Sequence, residues 1–141
     1  KKQKMKHTLL IFTSLYSFIL SGQDLKWNNT IDGDFVIDSV TLGEDSNIIN
    51  VSGKAGDYVV YMTYNFTNIH STSNQGEYTA LAWAQDGDQF LETTVRGLWK
   101  KNEQVFDIKH FENATDGSQL LTTGTMDFQA KTYKCKVRFL E

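Results

Sequence analysis

The sequence predicts an all-β domain, most simply a single antiparallel β-barrel of about eight strands, with a β-sandwich as the alternative. Three observations lead there. Runs rich in Val, Ile, Thr, Tyr, Phe and Trp alternate apolar and polar residues at period two, the pattern of a half-buried strand. Glycines punctuate those runs, and Asp-Gly pairs stand at Asp32-Gly33, Asp86-Gly87 and Asp116-Gly117. Asp-Gly is a strong hairpin signal because both turn residues must tolerate positive φ. After residue 23 no apolar stripe of helical period runs to helical length, and the chain has no proline.

The first segment stands apart from that domain. Lys1, Lys2, Lys4 and Lys6 form a positive cluster around Met5, the natural start. The run from Thr8 to Leu20 is uncharged at pH 7, and the small residues Ser21 and Gly22 close it. A basic start, a short apolar run and a small-residue exit are the three parts of a secretory signal peptide. A bilayer span needs about 20 apolar residues, so a stable membrane anchor is not expected. The reading is a signal peptide over residues 1–22 and a barrel domain over 23–141, secreted or periplasmic. Removing the leader takes four of the 14 Lys and Arg and none of the 17 Asp and Glu, which moves the net charge from −3 to −7. Nucleic acid is a poor partner for such a surface. One cysteine, Cys135, rules out an intramolecular disulfide, and its strand neighbours mark it as a small core residue.

Strands are expected over 34–42, 47–52, 57–68, 77–85, 89–101, 104–113, 119–129 and 132–140. Between the third and fourth lies a polar loop from Ile69 to Gly76, a possible rim of a site. Period two assigns the faces. Tyr58, Val60, Met62, Tyr64 and Phe66 share one face. Leu91, Thr93, Val95, Gly97 and Trp99 point inward, with Glu92, Thr94, Arg96 and Lys100 opposite. Phe106, Ile108 and His110 align, as do Leu120, Thr122, Gly124, Met126 and Phe128. Tyr133, Cys135, Val137 and Phe139 oppose Lys134, Lys136 and Arg138. Gly97 and Gly124 inside strands suggest bulges or tight bends. A barrel of this size either fills with side chains or holds one small ligand.

No metal-ligand spacing, phosphate loop, dinucleotide fingerprint or nucleophile elbow occurs, so no metal or cofactor is expected. His110 and Glu112 are the catalytic candidates. They are successive positions on one face, and a carboxylate beside an imidazole can tune it for proton transfer. The plainer alternative is a hydrogen-bonded histidine near a strand end. Tyr78, Trp83, Arg96 and Trp99 are the ligand-binding candidates. The two Trp residues offer stacking faces or act as core or barrel-end plugs, and Trp27 is read as tethering the N-terminus in the same way. Arg96 would anchor an anion only if its face were inward.

The segments Gly76-Glu77-Tyr78, Val95-Arg96-Gly97-Leu98 and Thr123-Gly124-Thr125-Met126-Asp127-Phe128, spread over roughly the last 65 residues, loosely resemble the allene-oxide-cyclase and dirigent-type barrel group in layout. The resemblance implies a hydrophobic barrel cavity that binds or cyclises a small apolar molecule. Three functions are thus expected in order: a small-molecule binder, an isomerase or cyclase on the same scaffold, and a secreted interaction module with a filled core.

Overall fold

A computed structural model describes residues 25–68 and 74–141. The leader assigned to residues 1–22 and most of the loop after Asn68, His70 included, lie outside the described residues. Eight strands follow in order: β1 (Trp27–Thr41), β2 (Ser46–Ala55), β3 (Tyr58–Asn68), β4 (Gln75–Asp86), β5 (Gln89–Asn102), β6 (Val105–Ala114), β7 (Gln119–Asp127) and β8 (Thr132–Leu140). Each pairs antiparallel with the next, and β1 pairs with β8. The sheet therefore closes into a barrel, and the sandwich alternative falls away.

Local chemistry accounts directly for two of the turns. Gly87 and Gly117 adopt φ of 56° and 89°, the left-handed conformation expected of their Asp-Gly pairs. Asp116 Oδ1 accepts the Ser118 backbone N–H at 2.9 Å and tightens the second of these turns. Asp32-Gly33, expected as a turn, instead lies inside β1, which runs 15 residues. Gly33 pairs with Ala55 on one side and Cys135 on the other. A Cβ there would lie 2.5 Å from Cys135 Sγ and 2.6 Å from the Phe35 ring. Its glycine serves close packing, not a turn.

Of the bulges or tight bends expected at Gly97 and Gly124, the bulges are absent. Pairing runs through both without a shift of register. The irregularities fall in β1, between Ile37 and Ser39 and between Trp27 and Asn29. At Gly97 and Gly124 a Cβ would lie 2.6 Å and 2.5 Å from a neighbouring strand's carbonyl oxygen. These glycines let the neighbouring strands and side chains approach closely.

The inward faces follow the period-two reading, including the buried row Tyr133, Cys135 and Val137 of β8. The interior is not uniform along the barrel axis. One end receives the β1–β2, β3–β4, β5–β6 and β7–β8 connections. It is plugged by rings: Phe66 stacks on Tyr78 at 4.9 Å and on Trp99 at 5.9 Å, Trp99 meets Phe106 at 5.4 Å, and Phe106 meets Phe128 edge-on at 5.0 Å. The other end carries the short β2–β3, β4–β5 and β6–β7 turns. Its inward positions are mostly smaller, among them Ala55, Ala84, Leu91, Ala114 and Ser118.

Candidate functional site

That difference in side-chain size leaves a cavity of about 150 Å³ at the second end. Its mouth lies among Tyr58, Ala84, Leu91, Asp116, Ser118 and Phe139. Its walls include Ile31, Met62, Ala82 and Leu120, and Thr93, Glu112, Thr122, Tyr133 and Cys135 also line it. The surface is mainly apolar with a few polar groups converging, the usual make-up of a small-molecule site.

Glu112 and His110 are brought together as expected, and Tyr78 joins them. The β4–β5–β6–β7 pairing sets Tyr78, Gly97, His110 and Thr122 in one cross-strand row. Gly97 has no side chain, so the Tyr78 ring lies across β5: a Cβ on Gly97 would be 2.5 Å from Tyr78 Cζ. The Tyr78 hydroxyl thereby comes within 2.8 Å of His110 Nδ1. On the other side of the imidazole, Nε2 lies 2.8 Å from Glu112 Oε1. Thr122 Oγ1 donates to that same oxygen at 2.7 Å.

Proton positions follow from the partners. Burial, reinforced by the charge of Glu112, pushes the Tyr78 hydroxyl far above its usual range, so it stays protonated and donates to Nδ1. Nδ1 is then the acceptor, and Nε2–H donates to the carboxylate. An imidazolium would leave the Tyr78 proton without an acceptor. Burial raises the Glu112 pKa, but the hydrogen bond from His110, its charge once the imidazole is protonated, and the hydroxyls of Thr122 and Thr93 outweigh it and hold the carboxyl below its usual range. Glu112 is an anion inside a largely apolar barrel.

The carboxylate, not the imidazole, faces the cavity. The His110 side chain is 0% exposed and that of Glu112 is 9% exposed. Both hydrogen bonds reach Oε1, and among the described residues none reaches Oε2. Thr93 Oγ1 stands near this carboxylate without reaching hydrogen-bond geometry and has no other partner. The hydroxyls of Tyr64 and Tyr133 are buried and lie near each other, but among the described residues neither reaches hydrogen-bond geometry with a partner. Cys135 lines the cavity as a thiol, pushed up to about 12 by burial, which leaves it inert as a nucleophile.

The remaining candidates lie elsewhere. Trp99 is 5% exposed and belongs to the aromatic plug. Trp83 is 59% exposed on the outer face beside Phe90, and Arg96 also points outward, so neither belongs to the interior site. Trp27, expected to tether the N-terminus, opens β1 and is 37% exposed, with the Arg138 guanidinium 6.0 Å from its ring centroid. Sequence reasoning missed Thr93 and Thr122 as site members, although both were assigned inward faces. A threonine among apolar inward residues was the available signal. No group of three metal-ligating side chains occurs among the described residues.

No protein-family profile, curated protein or solved structure matches this chain.

Proposed function

We propose that this barrel binds a small, mainly apolar molecule in its interior. The observation that carries the reading is the cavity: a void of about 150 Å³, open at one end, walled by Ile31, Met62, Leu91 and Leu120. A void of this order holds one benzene-sized ring. Its closed end is too well filled by stacked aromatics to admit a ligand. Toluene titration followed by methyl NMR tests the reading. Saturable shifts at Met62 and Leu120 are expected, and unshifted methyls at saturating toluene overturn it. We also take residues 1–22 as an export leader, which makes the ligand an extracytoplasmic one. Sequencing the mature N-terminus from the native host should find it near Gln23, and a terminus at Met5 overturns this part.

An isomerase or cyclase reading has one observation in its favour, the Tyr78–His110–Glu112 chain ending at the cavity. It ranks second because a carboxylate held below its usual range is a weak general base. On that reading Glu112→Gln abolishes turnover of any substrate found. Unchanged turnover removes Glu112 from proton transfer.

A further inference from the structure

The cavity is apolar in its walls, yet its carboxylate lacks a balancing charge. The imidazole beside Glu112 is neutral by its hydrogen-bond pattern. Among the described residues no Lys or Arg is buried in the barrel. A buried carboxylate with no opposite charge beside it is costly even when hydrogen-bonded, and cost of that kind is retained where a site uses the charge. Among the described residues Oε2 receives no hydrogen bond, and the buried Thr93 Oγ1, which lines the same cavity, has no partner of full hydrogen-bond geometry and keeps its lone pairs free to accept. The mouth repeats the sign. Asp116 lines it, and Asp57, Asp86 and Asp88 lie exposed in or beside the other two turns of that end. Lys26 and Lys54 near that end are exposed, and Arg138, two residues from the end of β8, is turned to the outer face, bonded to Thr123 Oγ1 and lying over Trp27. Acidic groups around a low-dielectric opening repel anions and concentrate cations.

The geometry points to an amine ligand: a primary or secondary ammonium on an apolar body about one ring in size, its N–H groups directed to Glu112 Oε2 and Thr93 Oγ1. This rests on the binding-barrel reading and adds the ligand's charge and headgroup. A bare metal ion fits poorly. Calcium takes about six to eight oxygen ligands, and no group of three metal-ligating side chains is present among the described residues. An ammonium needs only a few acceptors, and its hydrocarbon part fills the rest of the void. The hydrogen bond to a carboxylate is charge-assisted and strengthened by exclusion of water.

Calorimetric titration of the purified protein with benzylamine, benzyl alcohol and toluene at neutral pH tests the inference. Benzylamine should bind about tenfold or more tighter than benzyl alcohol, the scale of one charged hydrogen bond. Glu112→Gln should erase that preference. Equal affinity for benzylamine and benzyl alcohol in the unaltered protein overturns the amine assignment and leaves the binding barrel standing. Failure of all three ligands overturns the binding barrel itself. The comparison in the unaltered protein decides the matter even if Glu112→Gln does not fold. If instead Asp116→Asn erases the preference and Glu112→Gln does not, the ammonium sits at the rim and the interior assignment is wrong.

Discussion

At the plugged end the inward positions of successive strands carry Phe66, Tyr78, Trp99 and Phe106. At the open end the same four strands carry Tyr58, Ala84, Leu91 and Ala114. The backbone scaffold is continuous between them, and pairing in β3 to β7 has no break. Smaller side chains on β4, β5 and β6, not on β3, separate the cavity from the packed core. The rings at one end bury large apolar surface and stack within 6 Å of each other. The other end leaves that stabilisation unrealised and holds an ionised carboxylate besides. The Tyr78–His110–Glu112 chain joins the two regions, rooted in the plug and ending at the cavity.

Substitutions that treat the two ends differently give the clearest tests. Trp99→Ala removes the centre of the plug and should cost about 3–5 kcal/mol, read from denaturant unfolding. A loss under 1 kcal/mol would mean that the plug is not the core. Gly97→Ala should cost about 1–3 kcal/mol, because its Cβ would press on both Tyr78 and the Lys109 carbonyl. It should also displace the Tyr78 hydroxyl from His110, visible as a changed imidazole signal by NMR. An unaltered imidazole would break the proposed link between the two ends. Ala84→Leu places apolar volume into the mouth. It should leave stability within about 1 kcal/mol of the parent, yet abolish toluene binding. Retained binding would put the entrance elsewhere.

The smallest expected effect is acid sensitivity. The folded-state pKa of Glu112 lies below its ordinary value of 4.5. The unfolded chain therefore takes up this proton first as pH falls. The stabilisation from the lowered pKa is fully present above 4.5, and it is lost as pH drops through the folded-state value. Glu112→Gln should flatten the stability profile in that window while Ala84→Leu leaves it unchanged. Identical slopes for parent and Glu112→Gln would remove the pKa argument.

Much of the fold was legible residue by residue. All eight strands were expected near their observed places, because each rests on local alternation and local turn chemistry. The inward rows of β3, β5, β6, β7 and β8 follow from the two-residue repeat of the pleat. The start of β1 was not legible. Asp32-Gly33 has the composition of a turn, and only the approach of Cys135 and Phe35 shows why a glycine sits within a strand. Of the site, His110 and Glu112 were legible as neighbours on one face. Tyr78 was named as a ligand contact, but its bond to His110 spans 32 residues and crosses a strand at Gly97.

By itself, the sequence determined that this is a β-domain, where its strands run, which side chains face inward, and that a histidine and a glutamate share that interior. Those properties depend on neighbours one or two positions apart. The tertiary structure alone decided that the sheet closes, that its volume deficit gathers at one end, and that Glu112 rather than His110 meets the resulting cavity. Closure and free volume are sums over all eight strands. No local pattern carries them, because a void is defined by side chains from opposite sides of the barrel that are far apart along the chain.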